Sequence, residues 1–272
     1  MTSRVLQVDY EDVDSMKELL ETHEIHTIIS TISIVGDSEG AAQLNLIKAA
    51  AKSSTTKRLA PSEWSVSFEY DEENTPLMPY FHWRAKAINE LRKSDLQWTK
   101  FTNGFFLDYY GLPHVKWYLK PLTIAVDVQN MAAALPGTGN EPVTFSYSFD
   151  VANFVAAALD LAEWPEDSMI IGDKLTFNDL VKLAERTRGD KFTVTYDDLP
   201  TMKRFKVSEL PAHRELYPFF PKPFVQRLLA VLGRWTATGL FDLPYEKSLN
   251  SEFPNIKTTK AADMLESAWK GR

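Results

Sequence analysis

The sequence predicts an α/β fold organised as a doubly wound parallel sheet. Three observations carry this. Two strand-like runs, VLQVDY (5–10) and HTIISTIS (26–33), flank a helical stretch, which is the order of a βαβ unit. The alternation of helix and strand continues to residue 106. The helices are amphipathic and the strands are apolar or β-branched, as a sheet covered on both faces requires.

Each element has its own signal. Residues 13–22 (VDSMKELLET) place apolar side chains at Val13, Met16, Leu19 and Leu20, a helix with Asp14 or Ser15 near its start. Residues 39–53 (EGAAQLNLIKAAAKS) are helical by propensity. KRLAPS (57–62) is a short strand stopped by Pro61. The acidic, proline-containing stretch 63–80 reads as a surface loop. A helix follows over 81–95, and LQWTKFTNGFF (96–106) is a strand that runs into Gly104. After Tyr110 the rhythm changes. TIAVDVQ (123–129) and AAALPGTGNEPVTFSYS (132–148) read as strands around a Gly-Thr-Gly-Asn turn. Asp150 is the expected cap of a helix over 150–163, and SMIIGD (168–173) is another strand. Thr176 and Gly189 bracket a helix as cap and stop. KFTVTYDD (191–198) alternates like a strand, and helices are expected at 223–233 and 258–270.

The totals exclude several functions. A net charge of −7 leaves no basic footprint for nucleic acid. No apolar run reaches the roughly 18 residues of a membrane span, and residues 1–4 carry no apolar signal region. No membrane partner is expected. The absence of cysteine rules out disulfides, thiolate metal sites and cysteine nucleophiles. It fits a reducing compartment, so a cytoplasmic location is expected. The five histidines form no metal-binding pattern; His23 and His26 read as surface polarity, and no metal is expected.

Several stretches, taken in order, resemble the NmrA-like family, and within it the isoflavone reductase-like oxidoreductases, which are atypical short-chain dehydrogenases. VDYEDVDSMKELL and HTIISTIS look like that family's third strand, third helix and fourth strand. KRLAPSEWSV is similar to its strand followed by Pro-Ser-Glu and an aromatic residue. LQWTKFTNGFFLDYYG resembles its Thr-containing strand, and PGTGNEPVTFSYSFDVANFVAAAL its later hairpin and helix. IIGDKLTFNDLVKLAERTRGDKF continues the match, so the likeness covers nearly the whole chain.

The resemblance implies a Rossmann-like sheet that lacks its first two strands, with a smaller C-terminal substrate subdomain. It divides the chain into an incomplete NAD(P)-binding region over 1–150 and a mixed α/β substrate-binding and C-terminal region over 151–272, interleaved with it. The family's first strand, its GxxGxxG turn and its second strand have no counterpart, since the first glycine is Gly36. Gly36 and Gly40 follow the wrong strand and read as a loop and helix cap. A truncated product or a mis-set start codon is the expectation. In a sheet of order 3-2-1-4, VLQVDY would then stand apart from HTIISTIS. It is expected to slide in and pair with residues 28–33; the alternative is contact with the core through side chains alone.

The implied chemistry is reduction by a nicotinamide, which needs a positioned proton donor. The family's catalytic lysine falls, without a gap, on Arg84; Lys86 lies two residues on, about 200° around a helix. Tyr80 begins a Tyr-x-x-x-Arg variant of the ordinary dehydrogenase motif. Arg84, Lys86 and Tyr80 are therefore the catalytic candidates. The resemblance assigns Ser30, Thr31 and Ile32 to the adenine and ribose side of the cofactor, and Pro61, Ser62 and Glu63 to the nicotinamide side, with Glu63 equally readable as a turn cap. Asn103, Gly104, Phe105 and Phe106 would line the substrate side, although aromatic residues there are more often core. His82 and His114 are minor proton-donor candidates. The cofactor is NADP (as NADPH), bound weakly or not at all if the chain is truncated. The implied function is an NAD(P)H-dependent oxidoreductase acting on a small aromatic or polyketide-derived carbonyl or enone in secondary metabolism. The alternatives are a non-catalytic regulator or dinucleotide sensor, or an inactive product.

Overall fold

The computed structural model describes residues 5–67, 69, 73 and 75–272. Parts of the expected loop over 63–80, and residues 1–4, lie outside the described residues. The chain divides into two units. Unit 1 comprises residues 1–101 and 161–168, and unit 2 comprises 102–160 and 169–272.

Unit 1 is a parallel three-stranded sheet with helices packed on it. Its elements are α1 (Val13–Thr22), β1 (Thr27–Ile29), α2 (Asp37–Lys52), β2 (Arg58–Ala60), α3 (Phe81–Arg92) and β3 (Gln97–Trp98). The sheet order is β1-β2-β3, with Ile28 opposite Leu59 and Leu59 opposite Trp98. Helix α1 starts where its apolar spacing says, but its cap is Asp12, whose carboxylate accepts the Ser15 N–H at 2.9 Å. The core joins Met16 and Leu20 of α1, Ile47 and Ala50 of α2, Leu59 of β2, and Ile88 and Leu91 of α3. Its burial, at about 25 cal/mol per Å², holds the layers together.

The stretch 5–10 corrects the expected pairing. It forms no strand and makes no ladder with β1, whose only partner among the described residues is β2. The less favoured alternative holds instead. Leu6 and Val8 are half-buried on one side while Val5 is 91% exposed, and Val8 packs on the core. The Tyr10 carbonyl accepts from Asn45 Nδ2 at 3.0 Å, so side chains tether this segment. An extended chain with one apolar face can dock this way without a strand partner.

Unit 2 opens with β5 (Phe105–Phe106), β6 (Val126–Asp127), β7 (Ala132–Pro136), β8 (Pro142–Ser146) and α4 (Ser148–Ala158). Two crossing strands, β4 (Lys100–Thr102) and β9 (Asp167–Met169), carry the chain between the units. It continues with β10 (Asp173–Thr176), α5 (Phe177–Arg188), β11 (Thr193–Asp197), α6 (Leu199–Lys203), α7 (His213–Leu216), α8 (Lys222–Ala237), α9 (Leu249–Glu252) and α10 (Ala261–Trp269). The expected hairpin over 132–148 does not form. Strand β7 pairs with β11 and β6, whereas β8 pairs with β10 and β5. The Gly-Thr-Gly-Asn turn is held by Asn178, whose Nδ2 donates to the Thr138 carbonyl (3.1 Å) and to Asn140 Oδ1 (2.8 Å). The turn therefore hands the chain from one sheet to the other instead of folding it back. Asp150 lies in the first turn of α4 and is not its cap; its carboxylate accepts the Thr259 N–H at 2.6 Å. Thr176 caps α5 and Gly189 ends it at φ +77°, as the sequence predicts. The core is aromatic: Phe105 stacks on Phe241 with ring centroids 3.9 Å apart, and Phe145 and Phe177 close around them.

Candidate active site

The site residues of unit 1 lie at the carboxyl ends of β1 and β2, where open α/β sheets bind ligands. Ser30 extends the β1 ladder, its N–H donating to the Ala60 carbonyl at 2.8 Å. Pro61 breaks the β2 ladder because it has no N–H, and Ser62 and Glu63 follow as a buried turn.

One residue that sequence reasoning missed joins these two strand ends. Gln43 of α2 is 1% exposed, and its Oε1 accepts both Ser30 Oγ (3.0 Å) and the Ser62 N–H (2.8 Å). The signal was available: Gly40, Gln43, Ile47 and Ala50 follow the helical period of the buried face. A polar side chain at such a position needs an internal partner. Gln43→Ala should leave the Ser62 N–H buried without an acceptor. The expected loss is about 3 kcal/mol, read as a lower urea midpoint at unchanged slope.

Arg84 reaches the same turn from α3. Its Nη1 donates to the Ser62 carbonyl at 2.9 Å and lies 3.2 Å from Glu63 Oε2, a pair in which the carboxylate side chain is 6% exposed. Glu63 therefore serves an ion pair. The guanidinium carbon sits 5.7 Å from the Tyr80 ring centroid. Burial pushes the Tyr80 phenol above its ordinary value; the Arg84 charge opposes that shift and Glu63 adds to it. Lys86 belongs to another face: it is exposed, with its Nζ 4.3 Å from the Trp83 ring centroid. His82 accompanies that face, 3.9 Å from Asp37. A buried cation, Lys100, donates to Ser67 Oγ at 2.7 Å and pairs with Asp167 at 3.3 Å, a satisfied structural group.

Thr31 is exposed and Ile32 half-buried beyond β1, so the strand end presents a side chain and backbone to a ligand. A pyrophosphate would need backbone N–H groups at a glycine-rich turn. Gly36 and Gly40 do not supply one. A Cβ on Gly40 would sit 2.3 Å from Trp83 Cγ, so this glycine serves helix packing. The first turn of α2 also carries Asp37 and Glu39, which repel an anion. The first turn of α2 does not fit the phosphates of a dinucleotide.

In unit 2, Asn103 is fully buried and donates from Nδ2 to the Gly104 carbonyl at 3.3 Å. Gly104 adopts φ +68° directly against the Thr144 carbonyl. Phe105 is a core ring, while Phe106 is half-buried beside Tyr109. His114 meets Trp269 edge to face, with ring centroids 4.7 Å apart. A small cavity of about 30 Å³ borders Phe105 and the buried His213. His213 is satisfied by the Leu210 N–H and the Thr123 carbonyl.

Comparison with known proteins agrees with this architecture. The chain is 33% identical over 258 residues to "Oxidoreductase BOA1" of Botryotinia fuckeliana, covering 93% of this chain and 80% of that one. It is 28% identical to "Oxidoreductase swnN" of Metarhizium robertsii, covering 96% and 83%. Among solved structures it is similar to the complex of leucoanthocyanidin reductase with NADPH from Vitis vinifera. The TM-score is 0.70 at 16% identity, covering 94% of this chain and 82% of that one, a likeness of fold. Residues 2–250 match the model of the NmrA-like family, and the chain belongs to that family.

Proposed function

We propose that this protein is an NAD(P)H-dependent oxidoreductase of the isoflavone reductase-like type, using NADPH. Its proposed substrate is a small aromatic or polyketide-derived carbonyl or enone of secondary metabolism, met in the cytoplasm. One observation carries the reading: Arg84 is aimed into the buried Pro-Ser-Glu turn at the strand ends, 2.9 Å from the Ser62 carbonyl. The names of the two fungal relatives and the NADPH complex of the structural neighbour support it.

In this reading Ser30, Thr31 and Ile32 hold the adenine and ribose side, and Pro61, Ser62 and Glu63 the nicotinamide side. The bound dinucleotide supplies a hydride. Arg84 stays protonated throughout, as a guanidinium does near neutral pH, so it orients and polarises an oxygen and gives up no proton. Tyr80, with its phenol raised by burial, keeps its proton at neutral pH and is the donor beside Arg84. Lys86, on its other face, takes no part. In unit 2, the half-buried Phe106 is the proposed substrate contact, with the buried Asn103, Gly104 and Phe105 supporting it.

The Arg84–Glu63 pair also favours a second reading, a non-catalytic dinucleotide-sensing regulator, because it neutralises the cation that a reductase turns toward its substrate. Steady-state NADPH consumption with a panel of aromatic enones and ketones separates the two. Turnover of any member supports the reductase. Saturable NADPH binding with no turnover across the panel supports the regulator.

A further inference from the structure

We propose that unit 2 carries a docking surface for anionic lipid, built from the basic turn that ends α6 and the Pro-Phe-Phe-Pro loop that precedes α8. The basic turn and the start of α8 line one groove, and the loop leads directly into it at Lys222. Arg204, Lys206, Lys222 and Arg227 line it, and Glu209 is the one carboxylate among its lining residues. Glu209 is already engaged by Lys222 and by Arg214, whose Nε lies 3.1 Å away. The groove is therefore net positive in a chain whose net charge is −7.

The basic turn is held in an unfavourable conformation. Phe205 follows α6 with φ +55°, the left-handed region where a glycine normally ends a helix. A bulky residue there is strained, and strain of this kind persists where the local arrangement serves a purpose. The turn leaves Arg204 and Lys206 both exposed while the Phe205 ring is half-buried. Arg227 lies over that ring, 4.3 Å from its centroid, which fixes a third cation beside the first two.

The neighbouring loop is apolar and pre-ordered. Phe219 is 78% exposed. Its backbone is pinned, with the Phe219 and Phe220 N–H groups both donating to the Leu216 carbonyl at 3.0 and 2.9 Å. Behind it Phe220 stacks on Phe224 at 5.6 Å, and Pro218, Pro221 and Pro223 restrict the chain. Lys222 ties the loop to the groove: it pairs with Glu209 and lies 5.6 Å from the Tyr217 ring centroid.

A single exposed Phe is ordinary on a protein surface. An exposed, rigid Phe set beside a net-positive groove is a combination with one complementary partner. A membrane surface presents anionic headgroups above an apolar layer, and so complements both the cations and an exposed Phe. Neither the charge total nor the search for a membrane span registers such a surface, which is why the sequence alone predicts no membrane partner.

Flotation of the full 272-residue chain with vesicles tests this. Vesicles of phosphatidylcholine with phosphatidylserine should carry the protein, pure phosphatidylcholine should not, and added salt should release it. Phe219→Ala should lower partitioning about tenfold, and Arg204→Glu with Lys206→Glu by at least about tenfold. All three side chains are exposed, so both variants should melt like the parent. Lys57→Glu with Lys93→Glu, in unit 1, should partition unchanged. Absent partitioning overturns the proposal, as does partitioning of either unit 2 variant equal to the parent's. Binding of inorganic phosphate or of polyglutamate without vesicle binding also overturns it, in favour of a free anion or an acidic protein.

Discussion

The 272-residue chain should bind NADPH with a dissociation constant weaker than about 10 μM, on the order of a thousandfold weaker than a site with a complete phosphate cradle. Such a cradle joins several backbone N–H donors to the positive end of a helix dipole. Hydrogen bonds to charged groups contribute about 1.5–3 kcal/mol each, so losing two or three accounts for the factor. The helix after β1 cannot substitute, because Asp37 and Glu39 occupy its first turn and Gly40 is packed against Trp83. Isothermal calorimetry measures this directly. Low-micromolar or tighter binding would show that other residues, such as the backbone at Thr31 and Ile32, carry the phosphates.

Gly104→Ala should destabilise unit 2 by about 3–5 kcal/mol. Two costs combine. The backbone has φ +68°, and an added Cβ would lie 2.1 Å from the Thr144 carbonyl oxygen. That oxygen cannot retreat, since the Thr144 N–H is tied to the Phe241 carbonyl at 2.9 Å and β8 is paired on both edges. Gly189→Ala is the control. Its φ is +77°, but nothing lies within 4 Å of the added Cβ, so only the conformational cost of about 1 kcal/mol remains. Urea denaturation should separate the two variants clearly. Equal losses would mean that β8 yields to the methyl group.

Local signals in the sequence were reliable where a single element decides its own structure. The apolar spacing of Val13, Met16, Leu19 and Leu20 placed α1, and Thr176 with Gly189 placed α5. They failed where pairing depends on distant residues. VLQVDY has strand composition, but composition does not specify a partner, and the segment docks through Leu6, Val8 and the Asn45–Tyr10 hydrogen bond. The stretch 132–148 has hairpin composition, yet Asn178, some forty residues on, captures its turn and sends the two strands to different sheets. The site shows the same division. Helical geometry alone separates Arg84 from Lys86 by about 200°, and the structure places them on different faces. Gln43 escaped notice because its partners, Ser30 and Ser62, are neighbours only once the parallel sheet has formed.

The central claim is that Arg84, and not Lys86, is the working cation at the strand ends. Arg84→Ala alone would strand the buried Glu63 carboxylate, at a cost of about 3–5 kcal/mol. The informative variant is therefore Arg84→Ala with Glu63→Gln, compared with Glu63→Gln and with Lys86→Ala. The measurement is the NADPH-dependent reduction rate of the best substrate from the panel, under conditions where thermal melting shows each variant folded. The account predicts a loss of about a hundredfold or more for the double variant and less than about twofold for Lys86→Ala. A larger loss from Lys86→Ala than from the double variant would contradict it.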